Sequence, residues 1–209
     1  MSTIYTTSKG RTHGHRRRAA VWLAAVVSLG AAAAPLGAQA SDARSVGLAA
    51  LTTTPDSAAV LFLRSVRAIR WSAAAQFLDD EALGRFFETT RMLAAADTSG
   101  EVGHYLVATD SISLRALARP EVFAQAIGAT IDGMPGLMHS LYDRDDEVLG
   151  HVSEVEGRAH VVYRTTARIS GAVPEVKVMQ LRHGPDGWRV SWSDELEVLD
   201  AALRGVGRR

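Results

Sequence analysis

One change of hydrophobic period constrains this chain more than any other feature. Up to about residue 132, apolar side chains recur every three to four positions, as in Ala59, Phe62, Val66 and Ile69; from Glu147 onward they alternate with polar ones. A helix buries a stripe at the first spacing and a strand buries a face at the second. Helices first and a strand meander afterwards predict an α+β domain, with the helices packed on one face of a curved antiparallel sheet.

The helical part carries its own punctuation. Thr54-Pro55-Asp56 supplies a cap, a residue without N–H where none is needed, and a carboxylate for the positive helix end. This predicts a helix over residues 55–70. Ser72 is the expected cap of a short second helix through Phe77 and Leu78, and Asp79-Asp80 starts a third carrying Leu83, Phe86, Phe87 and Met92. Residues 97–103 read as a loop. A fourth helical region begins near Asp110 or Ser111 and runs through Ile127 with a break at Pro120, ending at residues 133–136.

In the second part, Gly150, Val152 and Glu154 alternate, as do Ala159, Val161, Tyr163, Thr165, Ala167 and Ile169, so two strands join around Glu156-Gly157. A third strand spans residues 175–183. Gly184-Pro185-Asp186-Gly187 turns into Trp188-Arg189-Val190-Ser191-Trp192, and Asp194 is the expected cap of a last short helix over residues 195–203. A four-residue loop in this hairpin sets Met179 and Leu181 beside the tryptophans; a bulged turn sets Gln180 there.

Ahead of the domain, Lys9, Arg11, Arg16, Arg17 and Arg18 precede an apolar run over residues 19–36 and then Ala38-Gln39-Ala40. That order is the order of an export signal, with cleavage between Ala40 and Ser41. The run contains Ser28, Gly30 and Pro35 and falls short of the roughly 20 strongly apolar residues of a membrane span. The three consecutive arginines also admit the twin-arginine route. The expected organisation is a signal peptide over 1–40, a flexible segment over 41–54 and one domain over 55–209, periplasmic or secreted, with no membrane attachment after cleavage. The mature 169 residues hold 18 basic and 23 acidic side chains, a net charge of −5, with Lys177 their single lysine. Such a balance gives no reason to seek nucleic acid, which needs clustered cations. With no cysteine in the chain, disulfides, thiol nucleophiles and cysteine metal sites are excluded.

The segment from the first helix through Trp71 to Asp79-Asp80-Glu81-Ala82-Leu83, followed later by Asp186-Gly187-Trp188-Arg189-Val190, resembles the nuclear transport factor 2-like superfamily over most of residues 55–203. The resemblance implies a cone-shaped sheet closed by amino-terminal helices around a pocket, which different members use for catalysis, ligand binding or dimerisation. A longer helical insertion, about residues 100–142, departs from that pattern.

Tyr163, Trp188 and Trp192 are the candidate ligand-binding residues, because their strands point them toward the helices and aromatic rings with a polar handle suit a pocket. The expected function is noncatalytic binding of a small molecule or a partner segment, with a homodimer possible and no cofactor. The alternatives are an isomerase or hydrolase using Glu154 with Tyr163, and an interaction domain whose cone is filled. With Val155 opposite Arg158, His151 and His160 share an outer face at roughly 7–8 Å. Arg164 and Arg168 repel a cation there and no third ligand is present, so no metal site is expected. Asp143, Asp145, Asp146 and Glu147 lack the glycine and spacing of a calcium loop and read as a solvated connector.

Overall fold

The computed structural model describes residues 51–107 and 113–206. The signal segment with Ala40 and Ser41, and the helix start expected at Asp110 or Ser111, lie outside them. The elements are α1 (Pro55–Arg67), α2 (Trp71–Ala75), α3 (Asp80–Ala96), α4 (Glu101–Val107), a 3₁₀ turn (Ser113–Ala116), α5 (Arg119–Asp132), α6 (Pro135–Tyr142), β1 (Arg144–Ser153), β2 (Arg158–Ala167), β3 (Glu175–Gly184), β4 (Gly187–Trp192) and α7 (Asp194–Val206). The class is α+β, with one open four-stranded antiparallel sheet in the order β1-β2-β3-β4. Among the described residues no helix is long and apolar enough to cross a membrane.

Local signals account for most helix ends. Thr54 Oγ1 accepts from the Ser57 backbone N–H at 3.1 Å, Pro55 opens α1, and Asp79 Oδ1 accepts from Ala82 N at 2.8 Å at the start of α3. Elsewhere the structure differs. Residues 97–103 are not all loop, because the Asp97 carboxylate accepts from Ser99 N at 3.0 Å and Val102 N at 2.7 Å and α4 follows at once. The break expected at Pro120 is present, between the 3₁₀ turn and α5, whose first turn holds Pro120, whereas Pro135 begins a further helix, α6, after the Gly133 cap. The cap of α7 is Ser193, whose Oγ accepts from Leu196 N at 3.3 Å, with Asp194 already in the first turn.

Two bulges set the sheet's faces. The β1–β2 turn takes in Val155 as well as Glu156 and Gly157, whose φ angles are 65° and 70°, so Ser153 pairs with Ala159 and His151 with Val161. This is one residue off the expected register, and it moves His151 to the helix-facing side, where it meets Asp56 of α1 at 2.9 Å. An extra residue at Leu149 then shifts the register again, so that Val148 pairs with Tyr163, Asp146 with Thr165 and Arg144 with Ala167. In β4, Trp188 pairs with His183 and Val190 with Leu181, but an extra residue at Ser191 brings Trp192 opposite Gln180. Both expected registers are therefore present, one on each side of the bulge, and the two tryptophans fall at positions of opposite parity.

The core lies between the helices and the face that carries Val161, Tyr163, Met179, Leu181 and Val190, all buried. Phe62 and Val66 of α1, Phe86 of α3, Phe123 and Ile127 of α5 and Leu196, Leu199 and Leu203 of α7 fill the other side. The free edge of β4 is covered: Val190 N donates to Phe77 O at 2.7 Å, Asp79 N to Val190 O at 3.0 Å, and Trp188 N to Thr52 O at 3.0 Å. Thr52 is thus buried against β4, although it lies within the segment 41–54 that was expected to be flexible.

Candidate functional site

The inner face of the sheet changes character along its length. On β2 the inward series runs Ala159, Val161, Tyr163, Thr165, and the facing positions on β3 run Leu181, Met179, Lys177, Glu175. One end is apolar and packs under the helices, while the other carries hydroxyls and charges. The Leu149 bulge adds Asp146 and Arg144 of β1 to the polar end, and the first turn of α7 lowers Glu195 onto it.

The centre of this cluster is a buried dyad. Tyr163 Oη donates to Glu195 Oε2 at 2.6 Å, and both side chains are fully buried. Burial first, then the Glu195 charge and the hydrogen bond to it, push the Tyr163 hydroxyl far above its ordinary range, so it stays protonated and acts as a donor. Arg144, 9% exposed, lies with Nη2 3.1 Å from Glu195 Oε1 and Nε 3.2 Å from Asp146 Oδ1. Burial raises the Asp146 carboxyl above its usual range, against the opposing pull of the Arg144 guanidinium and the Thr165 hydroxyl. These contacts are close but misaligned. Arg144 Nε and Nη2, both Asp146 oxygens, Thr165 Oγ1 and Glu195 Oε1 are buried without a hydrogen bond. Four of these atoms are ion-paired through Arg144, which leaves Asp146 Oδ2 and Thr165 Oγ1 outside those pairs, and a native fold leaves few such groups.

Beside the cluster opens a cleft of about 260 Å³, lined by Arg144, Thr165, Lys177 and Glu195 at its polar wall and by Leu141 and Val198 among its apolar ones. Lys177 Nζ sits 3.9 Å from both Glu195 Oε1 and Asp194 Oδ2. The arrangement presents both signs of charge and a hydroxyl to a small guest.

The three aromatic candidates do not meet there. None of the four main cavities among the described residues is lined by Tyr163, Trp188 or Trp192. Tyr163 lies beneath the cleft and touches its chemistry only through Glu195. Trp188 stacks edge-on with His183 at 5.2 Å between ring centroids, and Trp192 lies 4.7 Å under the Arg85 guanidinium. Glu154 bonds His160 Nε2 at 2.9 Å by the hairpin end, so it forms no pair with Tyr163. The two histidines share no face, contrary to the expected register, and each has its own carboxylate, Asp56 for His151 and Glu154 for His160.

Arg144, Asp146, Lys177 and Glu195 were not singled out as site residues from the sequence. The signals were present. Lys177 keeps step with Met179 and Leu181 on an inward face, and Glu195 precedes Leu199 by four residues on the buried side of a helix. Arg144 and Asp146 were hidden because the acidic stretch 143–147 reads as a solvated connector, whereas β1 already begins at Arg144. Neither a protein-family model, nor a curated protein, nor a solved structure matches this chain significantly.

Proposed function

We propose that this is an exported, noncatalytic binding domain on a nuclear transport factor 2-like cone, which takes a small molecule in the cleft beside Arg144 and Glu195. The observation that carries the reading is where the buried polar atoms without a hydrogen bond lie. Arg144 Nη2 and Glu195 Oε1, paired only ionically at 3.1 Å, and Thr165 Oγ1 belong to cleft-lining residues, an imperfectly satisfied cluster of the kind a fold retains where function requires it. A volume of about 260 Å³ suits a molecule below drug size and favours a small guest over a partner segment. Noncatalytic binding is favoured because Tyr163 is held protonated and committed to Glu195, with Glu154 engaged elsewhere. Four antiparallel strands in sequential order against helices support the cone, and the basic, apolar, small-residue order of residues 1–40 supports export to the periplasm or beyond.

The test is ligand-observed NMR with a library of small organic ions, repeated on Val198→Trp, which blocks the cleft from its rim. Saturable binders lost in that variant are expected. A library without binders, or binders that persist in Val198→Trp, would refute the reading.

A further inference from the structure

Lys177 is held in an unusual way. Its stem runs along the inner face of β3 and its ammonium ends among three carboxylates, 3.8 Å from Glu175 Oε2, 3.9 Å from Asp194 Oδ2 and 3.9 Å from Glu195 Oε1. All three distances exceed hydrogen-bond length, which ends near 3.2 Å for N–H···O. The carboxylates converge on one ammonium position without bonding the ammonium that occupies it. Glu195 Oε1 is buried and has the Arg144 guanidinium 3.1 Å away as an ionic neighbour, but it accepts no hydrogen bond from that group or any other. Counting the lining residues with Asp146 behind them, four carboxylates stand against the two cations Arg144 and Lys177. The rim near Glu175 and Asp194 is apolar, with Val173 and Val198 both exposed.

We propose that this carboxylate triangle is the head-group subsite for a primary organic ammonium with a short apolar body, and that Lys177 is a built-in occupant which the incoming amine displaces. The inference rests on the cleft being a binding site and adds the sign of the ligand's charge. The guest's ammonium takes the hydrogen bonds that Lys177 is too far away to make, while its alkyl part covers Val173 and Val198. Lys177 then swings toward solvent on its flexible stem.

The sign makes the idea testable, because an anion site would need Lys177 as a partner whereas an ammonium site has it as a competitor. The probes are n-hexylammonium and n-hexanoate, titrated calorimetrically into the mature protein, Lys177→Met and Glu175→Gln/Asp194→Asn. Lys177→Met keeps the apolar stem, and Lys177→Gln serves as a second variant, with thermal melts confirming that each is folded. We expect n-hexylammonium to bind Lys177→Met and Lys177→Gln about tenfold more tightly than the unaltered protein, a change of about 1.4 kcal/mol. The Glu175→Gln/Asp194→Asn variant should bind it at least about tenfold more weakly, and n-hexanoate should bind none of them. Unchanged or weaker n-hexylammonium binding in both Lys177 variants overturns the inference. So does n-hexanoate binding that is lost with Lys177, which would leave the cleft a binding site of the opposite sign. If neither probe binds any form, and the organic-ion library also yields no binder, the cleft reading falls with it.

Discussion

Replacing Tyr163 by Phe removes one oxygen atom from the interior and isolates the best-defined polar contact in the fold. The lost bond is the 2.6 Å donation to Glu195 Oε2, in surroundings where both side chains are fully buried. A hydrogen bond to a charged group contributes about 1.5–3 kcal/mol, and the acceptor left behind is stranded away from water. Arg144 cannot compensate, since its Nη2 lies against the other carboxylate oxygen, Oε1. The expected destabilisation is therefore about 2–3 kcal/mol. Glu195→Gln provides the control, because its amide oxygen still accepts from Tyr163 but without charge. In that background Tyr163→Phe should cost only about 1 kcal/mol, the value of a neutral bond. Urea unfolding of the four proteins, with unchanged m-values, completes the cycle. Equal costs in both backgrounds, or a single-variant cost below about 0.5 kcal/mol, would refute the claim that this dyad is a charge-assisted bond.

Phe62→Ala, in the buried stripe of α1, should lower stability by about 3–5 kcal/mol in the same assay, and a loss under about 1 kcal/mol would mean that α1 does not anchor the sheet. Because burial raises the Asp146 carboxyl, the folded state binds its proton more tightly than the unfolded chain does. Its contribution is present in full below the unfolded value, about pH 3.9, and is lost as pH rises through the higher folded value. The stability of the unaltered protein minus that of Asp146→Asn should accordingly fall from about pH 4 upward and then level off, and a difference that grows with pH would show that pairing with Arg144 outweighs burial. Intact mass of the exported protein should correspond to a chain beginning at Ser41, and retention of residues 19–36 would identify that segment as an anchor instead.

Much of the architecture was legible because it depends on neighbours in sequence. Thr54-Pro55 starts α1 and Asp79 starts α3 through bonds spanning three residues, so the sequence that encodes them also contains their partners. The alternation in Ala159, Val161, Tyr163 and Thr165 states which side of β2 is buried, and the Gly-Pro-Asp-Gly turn states where β3 reverses. Helix starts hidden in polar stretches, such as α4 after Asp97, were less legible, because capping by a distant carboxylate oxygen leaves the composition of a loop.

The candidate site lay beyond the sequence for a specific reason. A strand has a period of two, so each extra residue exchanges its faces, and no local pattern announces where an extra residue will be accommodated. The inclusion of Val155 in the turn brings His151 inward, and the bulge at Leu149 then exchanges the faces again, so that Asp146 lies opposite Thr165 and Arg144 opposite Ala167. The bulge at Ser191 sends the two tryptophans of β4 to positions of opposite parity. Glu195, thirty-two residues after Tyr163, reaches its hydroxyl only because α7 folds back over the polar end of the sheet. The sequence alone determined the class, the strand order and the apolar stripe that binds α1 to the sheet, since each follows from periodicity and from bonds between near neighbours. Only the tertiary structure decided which charges are buried together, because that outcome depends on bulges and on helix placement, whose energies are settled by packing across the whole core.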